Sequence, residues 1–259
     1  MHFHKYQGTG NDFVLIDDRA RAFDETDQPL IARLCHRRFG IGADGLILLR
    51  NRPDFDFEMV YFNADGHPSS MCGNGGRCTA AFARLLGLIT DKANFLAVDG
   101  SHEARLEPDG TVRLRMSDVA PPQAAGPDAV FLHTGSPHHV RFLPAGLAGL
   151  DVVAQGRALR YGPPYGAAGA NINFVETPAD PAQPWHLRTY ERGVEDETLS
   201  CGTGATAAAL AAHARGAASP VRLHTPGGEL QVSFEPLPNG GFAHVWLSGP
   251  AVRVFGGEV

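Results

Sequence analysis

Most of the chain alternates apolar and polar residues over short stretches that turn residues separate. FDFEMVYFN at 55–63 is one such stretch, and HEARLE at 102–107 and TVRLRM at 111–116 flank a Pro-Asp-Gly turn. Residues 221–234 and 236–249 alternate in the same way around glycine-rich turns. This pattern is typical of antiparallel strands joined by hairpins. The sequence therefore predicts a protein built mainly from antiparallel β-sheet.

Few segments carry a helical pattern. One is predicted to begin after Asp27 and to end near Gly40. Two others begin at Cys-Gly-x-Gly motifs and end near Gly87 and Gly216, because a glycine after the last turn stops a helix. These two segments are rich in alanine, and small side chains on most faces suit a helix that strands enclose closely.

The two cysteine motifs are copies of one pattern. MCGNGGRCTAAFARLLG (71–87) and SCGTGATAAALAAHARG (200–216) each place Gly at +1, +3 and +15 and Ala at +8 and +11 from the cysteine. Similar polar turns precede both motifs: GTGNDF and NADG before the first, HTGSPHH and ERG before the second. The chain therefore contains a duplicated unit with one thiol, Cys72 or Cys201, in each half.

These patterns predict an α+β fold with two pseudo-symmetric halves, each a curved, mostly antiparallel sheet wrapped around a central helix. Residues 1–118, joined by a C-terminal strand at 251–259, form the first half, and residues 119–250 form the second. The Pro- and Ala-rich stretch 118–128 is the predicted linker, and the Gly- and Pro-rich stretch 161–170 is a predicted loop.

Composition narrows the class of function. The net charge of −6 provides no basic excess for replacing counterions on nucleic-acid phosphates, so no nucleic-acid partner is expected. No apolar run approaches the length that spans a bilayer, so no membrane partner is expected. The first residues show neither a charged n-region nor an apolar h-region, and a cytoplasmic location is predicted.

The cysteines and histidines are not spaced as metal ligands. None of the four cysteines forms a CxxC pair, and the twelve histidines form no HExxH pattern, so no metal site is expected. Cys35 and Cys78 are interpreted as small buried hydrophobic residues.

A cysteine at a helix N-terminus lies where backbone N–H groups lack partners and the helix dipole is positive. Such a position lowers the pKa of a thiol, and the same N–H groups bind carboxylates or phosphates. The motif glycines are expected to let a ligand approach the backbone closely. No Lys-Ser or Lys-Thr follows the glycines, so the motif is not a Walker A loop.

Two thiols in related halves fit racemisation or epimerisation, provided that the halves face each other. One thiolate would remove an α-proton, and the other thiol would return a proton on the opposite face. The helix N-terminal N–H groups would stabilise the developing enolate charge. No pyridoxal phosphate motif is visible, so the reaction is expected to need no cofactor.

The ordered set GTGNDF, FNADG, MCGNGGRC, YERG and SCGTGATA resembles the diaminopimelate epimerase family over nearly the whole chain. The resemblance implies interconversion of LL- and meso-diaminopimelate in bacterial lysine and peptidoglycan precursor biosynthesis. It also implies a homodimer and a small-molecule substrate. The related proline and hydroxyproline racemases share the two-cysteine plan but typically carry His where this chain has Asn74.

The resemblance also assigns residues to roles. Cys72 and Cys201 are the implied acid/base pair, and His138 and Glu191 are implied to set thiol protonation. The implied substrate-binding residues are Asn11, Asn63, Gly73, Asn74, Asn171, Glu191, Arg192, Gly202 and Thr203. Arg192 can bind a carboxylate bidentately, whereas Asn amides offer both donors and acceptors.

Two positions depart from the family pattern. Ser136 stands where the family often has Asn before Pro-His, and Gly45 stands where it often has Gln. Both changes bear on substrate contacts rather than on the reaction.

Two other functions fit the residues. One is a racemase of proline, hydroxyproline or another amino acid on the same fold. The other is a non-catalytic protein that binds small acids and whose thiols are structural or form a disulfide. Alkylation of the thiols discriminates the binding protein from an enzyme, because only the enzyme depends on them.

Overall fold

The computed structural model describes residues 1–259. The strands are β1 His2–Gly8, β2 Asn11–Asp17, β3 Gly45–Arg50, β4 Phe57–Asn63, β5 Lys92–Ala97, β6 Gly100–Leu106, β7 Val112–Arg115, β8 Gln123–Gly126, β9 Ala129–His133, β10 Pro137–Leu143, β11 Asn171–Glu176, β12 Trp185–Glu191, β13 Asp196–Thr198, β14 Val221–Thr225, β15 Gly228–Pro236, β16 Phe242–Gly249 and β17 Val252–Glu258. The α-helices are α1 Gln28–Cys35, α2 Gly73–Leu85, α3 Val152–Arg160 and α4 Gly202–His213.

The chain divides into two compact units. The first comprises Met1–Leu114 and Gly249–Val259, and the second comprises Arg115–Ser248. The divisions fall at 114/115 and 248/249, where the sequence predicted 118/119 and 250/251. No helix combines the length and the apolar character needed to cross a membrane.

The sheet of the first unit begins with β17, which pairs antiparallel with β1, and β1 pairs antiparallel with β2. The β2–β3 and β4–β5 pairs are parallel, whereas β3–β4, β5–β6 and β6–β7 are antiparallel. Parallel neighbours need a crossover connection, and here α1 and α2 provide one each.

The second unit repeats this order. The hairpin β9–β10 leads through α3 to the parallel partner β11, and β12 leads through α4 to the parallel partner β14. The β11–β12, β14–β15 and β15–β16 pairs are antiparallel. The predicted α+β fold with two similar, mostly antiparallel halves is confirmed.

Each unit encloses one alanine-rich helix. In α4 only Thr203 and His213 are partly exposed, while the remaining residues are buried. The alanines from 205 to 212 pack in one cluster with apolar residues of β10, β12, β14, β15 and β16. In α2, Gly75 approaches the sheet so closely that a Cβ there would lie 3.1 Å from Ile47 Cδ1. Small side chains therefore bring both helices close to their sheets.

The shorter helices cover the opposite faces of the sheets. Ile31 and Leu34 of α1 pack with Val14, Ile16 and other residues of β2 and β3. Val152 of α3 packs in a separate cluster with residues of β11 and β12.

Helix α1 confirms its predicted start but not its predicted end. The Asp27 side chain accepts a hydrogen bond from the backbone N–H of Leu30, as an N-cap residue does. The helix ends at Cys35 rather than near Gly40, because the following chain folds back over its last turn. The backbone N–H groups of Ile41 and Ala43 donate to the carbonyl oxygens of Leu34 and Cys35.

Two other features differ from expectation. Helix α3 was not predicted from the sequence. The stretch 118–128 is not an irregular linker throughout, since β8 lies within it and pairs antiparallel with β9. Residues 161–170 form turns without helix or strand, as predicted.

Candidate active site

Both motif cysteines occupy the N-cap position of an enclosed helix. Cys72 has φ −112° and ψ 123°, and Cys201 has φ −121° and ψ 113°, so both backbones are extended where the helices begin. Their carbonyl oxygens accept the first helical hydrogen bonds, from Gly76 at 2.7 Å and Ala205 at 2.8 Å. Neither sulfur caps its helix. First-turn N–H groups point out of each helix start, and the helix dipole there favours an anion.

The glycines at +3 of each motif serve packing rather than ligand approach, contrary to expectation. Gly75 lies against Ile47 and Met59, at 3.1 and 3.2 Å from a Cβ position. At Gly204, a Cβ would lie 2.5 Å from Oδ1 of Asn173. Both positions are filled by protein atoms, so a side chain there would displace the sheet.

In the first unit, Asn11 and Asn74 are brought into direct contact. Nδ2 of Asn74 donates to Oδ1 of Asn11 at 2.6 Å, and Nδ2 of Asn11 donates to Asp44 at 3.1 Å. Asn74 belongs to the first turn of α2, two residues after Cys72. The predicted binding residues Asn11, Gly73 and Asn74 thus lie together at the start of this helix, and Asn11 retains a second amide hydrogen for a ligand.

Arg77 is a fully buried cation in the second turn of α2. Its guanidinium donates to the Thr9 hydroxyl at 3.1 Å, its Nη1 has no hydrogen-bond partner, and no carboxylate pairs with it. Burial lowers the pKa of Arg77, whereas the neighbouring Cys78 and Cys72 oppose that shift. The guanidinium contributes positive potential near the N-terminus of α2.

In the second unit, His138 is linked to Cys201 through Thr203. Nε2 of His138 lies 2.9 Å from the Thr203 hydroxyl oxygen, which lies 3.5 Å from Sγ of Cys201. Burial, together with the charges of His133 and Arg192, lowers the pKa of His138 to about 3. The imidazole is therefore neutral at physiological pH and acts as a hydrogen-bonding group.

Asn171 joins two turns of the second unit. Its Nδ2 donates to the Ser136 hydroxyl at 2.9 Å and to the Pro137 carbonyl at 3.2 Å, while its Oδ1 accepts from the backbone N–H of Arg192 at 2.9 Å. Both amide hydrogens are thus engaged within the protein. Only the second lone pair of Oδ1 is left for a ligand, so the structure gives Asn171 a bracing role.

Glu191 and Arg192 lie at the end of β12. The exposed Arg192 side chain donates from Nη1 to the Ala168 carbonyl at 3.2 Å, which leaves its other N–H groups for an anion. Burial raises the pKa of Glu191, although a hydrogen bond from the Thr198 hydroxyl at 2.8 Å opposes this shift. No group of three or more His, Cys, Asp and Glu side chains is arranged to hold a metal ion.

Comparisons with known proteins decide the family. The diaminopimelate epimerase family profile matches residues 3–120 and 130–250. The diaminopimelate epimerase of Flavobacterium psychrophilum is 51% identical over 257 residues, covering 98% of both chains. The chain belongs to the diaminopimelate epimerase family.

Other members of the family and its fold relatives agree over the whole length. The diaminopimelate epimerase of Chlorobaculum tepidum is 42% identical over 261 residues, covering 97% of this chain and 98% of the relative. A crystal structure of a Bacillus anthracis PhzF-family phenazine biosynthesis protein superposes with a TM-score of 0.76 at 16% identity, covering 100% and 98% of the two chains. This last likeness concerns the fold alone.

The structure explains one departure from the epimerase pattern. A Cβ at Gly45 would lie 2.3 Å from the Phe62 carbonyl oxygen and 2.5 Å from the Tyr61 ring. The ring therefore occupies the space that a side chain at 45 would need. Gly45 pairs with Asn63 across β3 and β4, and the Asn63 side chain is exposed at the end of β4.

Sequence reasoning missed Asn173 and the hydroxyl of Thr203. Asn173 is fully buried and lies 3.1 Å from the His138 ring. Asn173 could have been predicted from the sequence, because residues two apart on a strand share a face and Asn171 lies two residues before it. Arg77 was missed because a basic residue in a helix normally lies in solvent.

Replacing Asp12 by Asn is expected to destabilise the protein at neutral pH. Burial alone would raise the pKa of Asp12, but hydrogen bonds and charges from Arg37 and Lys5 outweigh burial and hold the pKa at about 2. This stabilisation is complete above the ordinary value of 3.8 and is lost as pH falls through about 2. Urea unfolding should show a loss of about 1–2 kcal/mol at pH 7 that shrinks below pH 4.

The matched control for this experiment is Asp17→Asn. Asp17 pairs with Arg19 at the surface, at 2.6 Å, with both side chains about one third exposed. Its loss should cost less than about 1 kcal/mol. Equal losses in the two variants would show that the ion pairs of Asp12 with Lys5 and Arg37 stabilise the protein no more than an ordinary surface ion pair.

Cys35 and Cys78 are expected to resist alkylation in the folded protein. Burial raises the pKa of both thiols to about 12, so almost no thiolate is present at pH 8. Iodoacetamide followed by peptide mass mapping should label Cys72 first and label Cys35 and Cys78 only in denaturant. Labelling of Cys78 as fast as Cys72 would contradict the burial argument.

Proposed function

We propose that this protein is a cofactor-independent diaminopimelate epimerase that interconverts LL- and meso-2,6-diaminopimelate. The enzyme serves lysine and peptidoglycan precursor biosynthesis. The observation that supports this function most directly is the family match along both halves, with a cysteine at the N-terminus of each enclosed helix.

The proposed acid/base pair is Cys72 and Cys201. The thiolate of one cysteine removes the α-proton, an S–H bond forms, and the electron pair of the C–H bond spreads into the carboxylate. The thiol of the other cysteine then gives its proton to the opposite face of the carbon. Reversal of the two protonation states supports the reverse reaction.

The reacting carboxylate is proposed to bind at the first turns of α2 and α4. Gly73 and Asn74 follow one cysteine, and Gly202 and Thr203 follow the other. Their backbone N–H groups point out of the helix N-terminus, where the dipole favours negative charge. Charge that develops on the carboxylate during proton removal is stabilised by these fixed donors, which replace the electron sink of a cofactor.

The distal amino-acid group is proposed to contact Arg192, Asn11, Asn63 and Asn171. Arg192 supports this proposal because its exposed guanidinium is held by the Ala168 carbonyl and keeps donors for a carboxylate. Asn171 would contribute an acceptor for an ammonium group, since its two hydrogens are already donated to Ser136 and Pro137.

His138 and Glu191 are proposed to set thiol protonation. His138 lies one hydroxyl group away from Cys201, which supports an indirect action through hydrogen bonds. The raised pKa of Glu191 favours a carboxyl that holds its proton more readily than an exposed one.

A homodimer and a cytoplasmic location remain predictions. The exposed outer strand β17 supports a dimer, because Val252, Val254 and Phe255 are each about half exposed on a strand that pairs with β1. Exposed apolar residues on an edge strand are a frequent basis for association.

The test is proton NMR of LL-diaminopimelate with reduced protein in D₂O and no added cofactor. We expect the α-proton signal to decay and signals of the meso isomer to grow. L-proline in a parallel tube should show no exchange. Exchange with proline alone would indicate another amino-acid racemase, and no exchange with either substrate from folded, reduced protein would overturn the proposed function.

A further inference from the structure

The side chain of Asn173 is fully buried between β10, β12 and α4. It lies on β11 and shares a face with Asn171. A buried amide is costly unless its donors and acceptor are satisfied, and every group of this amide has a partner.

The orientation of the Asn173 amide is fixed by its neighbours. Nδ2 lies 3.0 Å from the carbonyl oxygen of His139, and a carbonyl oxygen only accepts. Oδ1 accepts from the Thr189 hydroxyl at 3.0 Å. A flipped amide would set two acceptors against each other at His139, so the nitrogen must face β10.

This orientation determines which nitrogen of His138 carries the proton. The second hydrogen of Asn173 Nδ2 points to Nδ1 of His138, 3.1 Å away. Nδ1 therefore accepts a hydrogen bond and carries no proton. In a neutral imidazole the proton is then on Nε2.

The protonated Nε2 in turn orients the Thr203 hydroxyl. Nε2–H donates to the hydroxyl oxygen at 2.9 Å, so the hydroxyl hydrogen must point elsewhere. Sγ of Cys201 lies 3.5 Å from the same oxygen and can accept it. The hydrogen bonds thus run in one direction, from Asn173 through His138 and Thr203 to the sulfur.

We propose that Asn173 is a positioning residue that holds His138 as the Nε2–H tautomer, so that the Thr203 hydroxyl donates to the sulfur of Cys201 and favours its thiolate. No proton leaves the chain of hydrogen bonds: when Cys201 acts as base, the S–H bond forms with the substrate proton and the Thr203 hydrogen bond weakens. The catalytic effect of this hydrogen bond rests on the proposed function, whereas the tautomer of His138 and the labelling of Cys201 can be measured without it.

The +3 glycine of the second motif is consistent with this role. A Cβ at Gly204 would lie 2.5 Å from Oδ1 of Asn173 and 3.3 Å from Sγ of Cys201. Only glycine leaves room for the amide and the sulfur at this turn of α4. The charged groups that influence His138 are His133 and Arg192, and both lower its pKa further, so they also favour the neutral ring.

The first measurement is ¹⁵N NMR of the histidine ring nitrogens in uniformly labelled protein, with the His138 signals assigned from a His138→Gln variant. The Nε2–H tautomer is expected at pH 7 in the wild type. In Asn173→Asp, a carboxylate replaces the amide donor, so Nδ1 should become protonated. A wild-type Nδ1–H tautomer would overturn the proposal.

The second measurement is the pH dependence of iodoacetamide labelling at Cys201, followed by peptide mass mapping. Thr203→Val removes the hydroxyl, and Asn173→Asp reverses the direction of the hydrogen bonds. Each change should raise the apparent pKa of Cys201 labelling by about one unit, a tenfold loss of thiolate at a given pH, and leave Cys72 labelling unchanged. An unshifted Cys201 profile in both folded variants would overturn the proposal.

Thr206→Val is the matched control. Its hydroxyl is also buried on α4 but donates to the Gly202 carbonyl at 2.9 Å. Its labelling profile and its activity should match the wild type. In the epimerase assay, Thr203→Val should lower kcat by about 10- to 100-fold with little change in KM. If the wild type lacks epimerase activity, the proposed function fails while the labelling and NMR results still decide the hydrogen-bond direction.

Discussion

Alanine in place of Cys72 or of Cys201 is expected to lower kcat for interconversion of LL- and meso-diaminopimelate by about 10³- to 10⁴-fold. Inversion needs a base on one face of the α-carbon and an acid on the other, and neither thiol can perform both tasks. The side chains are small, and Cys72 is half-buried, so the loss of either sulfur should leave folding largely intact.

Each single variant should also retain a partial activity that a general loss of activity would not leave. In D₂O the remaining thiolate can still remove the α-proton of one isomer and return deuterium to the same face. Each variant should therefore exchange the α-proton of one isomer slowly without producing the other isomer, and the two variants should prefer opposite isomers. Proton NMR of each pure isomer with each variant measures this directly.

Cys35→Ala provides the control for this experiment. Cys35 is buried at the end of α1, far along the chain from either motif, and its raised pKa keeps it a thiol. Its replacement should retain kcat within about threefold. A folded Cys201→Ala protein that epimerised at a tenth of the wild-type rate or faster would contradict the two-thiol mechanism.

Gly156→Ala is expected to lower the free energy of unfolding by about 2 kcal/mol. Gly156 faces β12 from α3, and a Cβ there would lie 2.3 Å from Cβ and 2.6 Å from Cγ of Tyr190. Overpacking of this kind costs about 1–3 kcal/mol, and the higher helix propensity of alanine recovers at most about 1 kcal/mol of it. Urea unfolding at pH 7 is the measurement.

The same substitution should affect substrate binding. Tyr190 directly precedes Glu191 and Arg192, and its hydroxyl donates to Glu195 at 3.1 Å, beyond the turn that carries Arg192. A displaced Tyr190 should raise KM more than it lowers kcat. Gly149→Ala is the matched control in the same unit, because a Cβ at Gly149 meets no atom within 4 Å. A Gly156→Ala protein as stable as Gly149→Ala would show that α3 packs less closely than the structure has it.

The sequence predicted those helix starts that depend on only a few neighbouring residues. Asp27 accepts from Leu30, and Cys72 and Cys201 stand at helix starts, because capping is a local property of a few residues. The end of α1 was not predictable, since it depends on backbone bonds from Ile41 and Ala43, which return from beyond the helix. The strand β8 was not predicted, because it is only four residues long and lies between Pro122 and Pro127.

Helix α3 could have been predicted by comparing the two halves of the duplicated sequence. Its sequence, VVAQGRALR, carries a glycine in the middle and runs directly into the Gly- and Pro-rich stretch 161–170. The first half, however, has α1 between β2 and β3, and the second half has β10 and β11 at the equivalent places. Comparison of the halves would have placed a helix before residue 161, although glycine is unfavourable inside a helix. Glycine is needed at 156 because α3 packs closely on Tyr190.

The candidate site was predictable by residue type but not by hydrogen-bond direction. The motifs identified Asn171 and His138, yet whether an amide binds a ligand or braces a turn depends on neighbours distant in sequence. Asn171 donates its two amide hydrogens to Ser136 and Pro137, and Asn173 donates to the carbonyl oxygen of His139 on β10. Such contacts follow from strand register, which no local pattern specifies.

The pairing of β1 with β17 bears on the order in which the protein folds as it leaves the ribosome. Strand β17 follows the whole second unit in the chain and pairs with β1, so the first unit closes only after the second unit has been synthesised. The second unit is continuous from Arg115 to Ser248 and has all its strands earlier. The half that is translated first is therefore the half that is completed last, and a chain truncated before residue 249 leaves β1 without its outer partner.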